Sequence, residues 1–101
     1  CAVSSHAMFI LSLIYIAPMN EVDAHIAPHL AWVADGYDSG AFLASGRKEP
    51  RTGGVIMALG ERSQLETLVA SDPFVLAGVA EYEITQVQLS RTVPGLEPLK
   101  G

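Results

Sequence analysis

The sequence predicts one α+β domain whose elements follow the order β-α-β-β-α-β. Three observations point there. Phe9 to Ile16 and Gly53 to Gly60 are apolar at successive positions, as expected of strands covered on both faces. Pro28 and Pro73 stand where helices can begin, because the fixed φ of proline suits a first turn and its missing N–H is not needed there. A length of 101 residues suits a single core rather than two.

Element by element, Phe9–Ile16 is the first strand and should be central in its sheet. Pro18 and Asn20 break it, and Glu21 and Asp23 place acids in a short following turn. The main helix is expected to begin near Pro28 and run through Leu30, Val33 and Tyr37 to a stop at Gly40. Ala41–Arg47 and Gly53–Gly60 form a hairpin around the loop Lys48–Thr52. Ser63, with Glu66 three residues on, has the spacing of a capping box, and Leu65, Leu68 and Val69 give that helix an apolar side. Asp72 caps a further short turn that starts at Pro73 and stops near Gly78. Ala80–Leu89 is the last strand; its apolar positions Tyr82, Ile84, Val87 and Leu89 slip phase, which suggests a bulge near Thr85. Residues 8–92 make up the domain, the Pro- and Gly-containing stretch 93–101 reads as an extended C-terminal tail, and residues 1–7 read as a frayed leader or cloning remnant.

This order is the ferredoxin-like split βαβ arrangement, a four-stranded antiparallel sheet with strands one and three in the middle and helices on one face. Half of the residues are apolar and 17% are charged, so the uncovered sheet face needs a partner. A second copy packed sheet to sheet supplies it, giving a homodimer of the dimeric α+β barrel type, or a higher assembly built from it. No apolar run approaches the roughly 20 residues of a membrane span. A net charge of −5 leaves no footprint for nucleic acid. The lone Cys1 cannot form an internal disulfide, so a cytoplasmic location is the expectation.

Two residues stand out for proton chemistry. His29 falls in the first turn of the main helix, where exposed N–H groups and the helix dipole favour a neutral imidazole able to act as a base. Its plainer reading is a packed histidine bonded to the backbone. Asp72 before Pro73 has the form of a helix cap; its carboxylate could also hold the tautomer of His29, since capping uses one oxygen and leaves the other. His25 and His29 are four apart, with Asp23 and Asp35 near, but Pro28 interrupts the helix a metal pair would need, so no metal site is expected. Arg47, Lys48 and Arg51 concentrate half of the basic residues in one loop, either a solvated hairpin or a hold for an anionic substrate. Tyr15 and Trp32 are candidates for the wall of an aromatic pocket, or for core. Ser12 and Ser45 lack a nucleophile-elbow context, and neither a phosphate-cradling loop nor a dinucleotide fingerprint is present.

Met8-Phe9-Ile10, Pro28-His29-Leu30, Ala44-Ser45-Gly46 and Asp72-Pro73-Phe74 followed by Ala77-Gly78, in that order and spacing, resemble the YCII (YciI-like) family from about Met8 to Ser90. The resemblance implies a ferredoxin-like fold, a dimeric α+β barrel, and a site centred on a His and an Asp, here His29 and Asp72. It also matches Gly46 to the family's glycine at the end of the second strand; Arg47, Tyr15 and Trp32 stay candidates for contact with substrate on the reading of the residues alone. Some relatives eliminate chloride from chlorinated aromatics, and muconolactone isomerases are structurally similar. The expectation is therefore a lyase or isomerase that needs no cofactor, with a small anionic or aromatic ligand. The competing expectations are a non-catalytic dimeric module that binds a small ligand or has a structural role, and a cofactor-free oxygenase.

Overall fold

The computed structural model describes residues 7–100. Four strands, β1 (Ala7–Tyr15), β2 (Phe42–Arg47), β3 (Gly53–Gly60) and β4 (Ala80–Val87), form one sheet in the order β2-β3-β1-β4. Every neighbouring pair is antiparallel. Helices α1 (Met19–Asp23), α2 (Ile26–Asp38), α3 (Arg62–Ala70) and α4 (Pro73–Leu76) join the strands. The fold is ferredoxin-like, with β1 and β3 central as their two-faced apolar sequences require. Among the described residues no helix is long and apolar enough to cross a membrane.

Register decides which side chains face the helices. Phe9 lies opposite Ala58 and Leu11 opposite Ile56, and these four, with Phe42, Leu65 and Val69, make one buried cluster between the sheet and the helices. A second cluster, Leu13, Val22, Phe74, Val79 and Ala80, fills the end of the sheet near α1 and α4. The alternate residues Ile10, Ile14, Val55, Met57 and Leu59 lie on the other face and are only partly buried.

Several boundaries differ from the sequence expectation, each for a local reason. β1 starts at Ala7, because pairing with Gly60 extends the ladder one residue before Met8; residues 1–6 of the expected leader lie outside the described residues. Helix α2 begins at Ile26, and Pro28 is its third residue, where a helical N–H has no intrahelical acceptor. The first i→i−4 bond is donated by the N–H of His29 to the carbonyl of His25 at 3.1 Å. Helix α3 is capped by Glu61 rather than Ser63, since β3 persists to Gly60 and leaves one residue before the helix; the Glu61 N–H donates to Gln64 Oε1.

The expected bulge near Thr85 is absent. β4 pairs with β1 without a break from Tyr15–Ala80 to Met8–Val87, so the phase slip marks a change of face: Ala80, Tyr82 and Ile84 look toward the helices, whereas Val87 sits beside Met8 on the other side. The irregularity lies instead between Phe42 and Ala44 in β2. The expected extended tail ends in a 3₁₀ turn, Glu97–Lys100, that rests against β1.

Close contact between α2 and β2 depends on Gly36, which is buried where a Cβ would overlap ring atoms Cδ2 and Cε2 of Phe42. Phe42 is itself buried in the main cluster, where close packing resists its displacement. Gly36→Ala is expected to destabilise the fold by about 1–3 kcal/mol, the usual cost of overpacking, despite alanine's higher helix propensity; urea unfolding checks the sign and size.

Candidate active site

Asp72 is fully buried, an environment that tolerates a carboxyl group only when its oxygens are bonded. Three donors reach it from three elements. The backbone N–H of Phe74 donates to Oδ1 at 2.9 Å, which caps α4. The hydroxyl of Tyr82, on β4, donates to Oδ2 at 2.6 Å. The imidazole of His29, on α2, meets the carboxylate through Nδ1 at 2.9 and 3.0 Å from its two oxygens. A carboxylate only accepts, so the nitrogen that faces it, Nδ1, is assigned as the donor; in the neutral ring this assignment puts the lone pair on Nε2. Nε2 has no hydrogen bond to another described residue.

Aromatic packing fixes the plane of the imidazole. It stacks on Phe74 with centroids 4.2 Å apart and 13° between planes, and lies near-parallel to Trp32 at 5.9 Å. The Trp32 Nε1–H donates to Ser71 Oγ at 2.9 Å, and Ser71 in turn donates to the Leu68 carbonyl at 2.6 Å. That chain pins α2 to the end of α3, one residue before Asp72. Tyr82 stays protonated well beyond the usual tyrosine range: burial disfavours the phenolate, and its hydrogen bond to Asp72 and the charge of that carboxylate act in the same direction.

In front of His29 lies a cavity of about 350 Å³. Tyr15, Phe74 and Tyr82 give it aromatic walls, the β2–β3 backbone at Gly46, Gly53 and Gly54 gives it a surface without side chains, and Arg47 and Arg51 line it from the hairpin. Arg51 donates to Asp23 Oδ1 at 2.8 Å. Arg47 has only a loose, exposed contact with Glu49 at 4.0 Å. Ser45 also borders the cavity, with its hydroxyl hydrogen-bonded to Tyr37 at 2.7 Å.

The residues singled out in the sequence are thus sorted by position. His29, Tyr15, Gly46 and Arg47 share the cavity, and Asp72 stands behind His29 without lining it. Trp32 is not on the cavity wall; its indole packs over Phe42 at 5.3 Å and Tyr82 at 6.2 Å and supports His29 from the core side. Lys48 does not line the cavity either. Ser12 falls on the sheet face opposite the helices, across from Val55. His25 is the N-cap of α2, and among the described residues no three His, Cys, Asp or Glu side chains converge as a metal-binding group. Sequence reasoning missed Tyr82 as a partner of Asp72. The available signal was an aromatic at a helix-facing position between two glutamates, Glu81 and Glu83, that face away.

Residues 8–88 match the model of the YCII-related domain. The chain belongs to the YCII family. Solved structures similar to this YCII domain include 5-chloro-2-hydroxyhydroquinone dehydrochlorinase (TftG) from Burkholderia phenoliruptrix AC1100, in complex with 2,5-dihydroxybenzoquinone. TftG is 17% identical at a TM-score of 0.70, over 82% of this chain and 95% of its own. Another is SnoaB, a cofactor-independent oxygenase from Streptomyces nogalater, 14% identical at a TM-score of 0.51, over 90% of this chain and 99% of its own. At these identities the likeness is one of fold. No curated protein matches the chain.

The raised ionisation of Tyr82 sets a sign for stability against pH. The unfolded chain releases that proton near pH 10 while the folded domain retains it, so the Tyr82 contribution is complete below about pH 10 and is lost as pH rises above it. Tyr82→Phe is expected to cost about 1–2 kcal/mol at pH 7, by removing one donor from Asp72, and to lose stability less steeply than the unmodified chain above pH 10. Urea unfolding at neutral and alkaline pH measures both.

Proposed function

We propose that this chain is an enzyme of lyase or isomerase type that needs no metal or redox cofactor. Its base is His29, and its substrate is a small hydroxylated or quinone-like ring from the breakdown of aromatic compounds. The observation that carries this reading is the His29–Asp72 contact at 2.9 Å: one ring nitrogen is held by a buried carboxylate, and the other has no hydrogen-bond partner among the described residues and belongs to a side chain that lines a cavity. The cavity, at about 350 Å³ with three aromatic side chains, suits one substituted ring. The name of TftG supplies the reaction class to test, elimination of chloride from a hydroxylated aromatic.

The chemistry follows from the imidazole's orientation. In the keto tautomer of a hydroxylated ring, Nε2 takes a proton from the sp3 carbon next to the carbonyl, the electron pair of that C–H bond becomes the new C=C bond, and chloride departs from the adjacent sp3 carbon with its own pair, leaving a quinone. In an isomerisation, Nε2 returns the same proton to a different carbon. In both cases the imidazolium formed is stabilised by Asp72, which keeps its own place through Phe74 and Tyr82. His29→Ala takes one of three donors from Asp72 and so lowers stability, and in the fraction shown to be folded by circular dichroism it is expected to lower chloride release from a chlorinated hydroxyhydroquinone by about 10²- to 10⁴-fold. Unchanged turnover in that variant, read by ion chromatography, would favour the non-catalytic reading.

The same proposal includes a homodimer formed sheet to sheet. Ile10, Ile14, Val55, Met57 and Leu59 form an apolar band across β1 and β3, interrupted by Ser12, on the face away from α1–α4. A central lysine in that band would have to be desolvated in a dimer and would remain in water in a monomer. Met57→Lys is therefore expected to halve the molecular mass seen by sedimentation relative to the unsubstituted chain; an unsubstituted chain that sediments as a monomer would overturn the dimer.

A further inference from the structure

We infer that the cavity selects an anionic substrate, a ring bearing a carboxylate or an equally acidic oxygen, and that Arg51 is the residue that recognises the charge. The inference rests on the reading of this cavity as the substrate site and adds the charge class and its specificity residue. The chain as a whole is acidic, with 11 Asp plus Glu against six Lys plus Arg. Two of those six basic residues, Arg47 and Arg51, line one cavity, and among its described lining residues there is no Asp or Glu. Asp23 and Glu49 stand beside the two guanidinium groups but do not line the cavity, so a ligand inside it meets N–H donors and no carboxylate, on a chain that otherwise repels anions.

The two arginines are not equivalent. Arg47 is largely in solvent, its side chain 69% exposed, and its nearest acidic contact is at 4.0 Å. The Arg51 side chain is 33% exposed and donates through one terminal nitrogen to Asp23 at 2.8 Å, a contact that orients its guanidinium at the cavity wall. The bond to Asp23 uses one of five N–H donors and the Tyr15 hydroxyl lies near the same guanidinium; the donors left can form the paired bonds that guanidinium makes with a carboxylate. Asp23 acts as a positioning residue: it tethers Arg51 from α1, across the hairpin, without lining the cavity itself. The ring of the ligand then lies along Tyr15 and Phe74, with its anionic group at Arg51 and its reactive carbon toward His29.

Calorimetric titration of the full chain at low ionic strength, with 2,5-dihydroxybenzoate and with 2,5-dihydroxybenzamide as a neutral probe of the same shape, tests this without reading turnover. The acid is expected to bind at least about 10-fold more tightly than the amide. Arg51→Met should weaken the acid about 10- to 100-fold and leave the amide unchanged, the range expected for one charge-assisted pair. Lys48→Met, in the same loop but off the cavity, should change neither. Equal binding of the two probes, no binding of either at millimolar concentration, or a preference that survives Arg51→Met would overturn the inference. So would a preference that disappears in His29→Ala and persists in Arg51→Met, which would assign the anion to the histidine. An absence of turnover with every ring compound would count against the catalytic reading and leave the acid–amide difference as it is.

Discussion

A carboxylate without solvent is the constraint around which this domain is arranged. Asp72 is fully buried, and an uncompensated charge there would cost several kcal/mol, about 3–5 when one partner of a buried pair is removed. Its three donors come from the start of α4, from α2 and from β4, so the group that must be satisfied is also the group that fixes how those elements meet. The consequences spread outward. Phe74, whose N–H caps onto Asp72, turns its ring against His29, and Ser71, one residue earlier, receives the indole N–H of Trp32. The orientation of His29 is thus set twice, by a hydrogen bond at one edge and by stacking on its face.

The sheet divides the molecule's work by face and by end. Residues of one parity on β1 and β3 meet the helices and form the core, and those of the other parity form the apolar outer band. The cavity opens where β1 and β3 run out toward the β2–β3 hairpin. Leu13 and Tyr15, the last helix-facing residues of β1, border it together with Gly53 and Gly54 of β3. At Gly53 a Cβ would collide with the backbone carbonyl of Leu13, so the strands can approach there only without a side chain. His29 and the two arginines therefore gather at the end of the sheet where the tightly packed core gives way to loops, which places polar groups on a rigid base with access to solvent.

Local signals in the chain were legible and distant ones were not. Asp72-Pro73 reads as a cap because capping is a matter of adjacent residues, and the bounds of β3 follow from its flanking glycines. The contact of His29 with Asp72 joins residues 43 apart, and nothing in either segment specifies the other; it entered the sequence reading through resemblance to the YCII family. Tyr82 went unnoticed for the same reason: alternation in β4 gives its face and not its partner. Trp32 was placed at the pocket because it is three residues after His29 on one helix face, but a broad indole with a donor is drawn to the core and to Ser71. The supposed bulge near Thr85 came from assuming that apolar residues in β4 face one way, when the outer face is apolar as well.

Structure and chemistry are not separable at Asp72, and this determines where function can be read. Any change to that carboxylate removes the cap on α4 and leaves Tyr82 and His29 without an acceptor, so lost activity there could follow from lost packing alone. His29 differs, since Nε2 is bonded to no described residue and the ring's structural role ends at Nδ1. Arg51 differs further: its guanidinium contacts Asp23 in solvent-accessible surroundings, where an ion pair contributes little to stability, about 0–1 kcal/mol. Moving from Asp72 through His29 to Arg51, the contribution to folding falls while exposure to a ligand rises. A buried acceptor holds the frame, a largely buried imidazole touches both frame and cavity, and an ion-paired arginine lines the cavity while adding little to the fold.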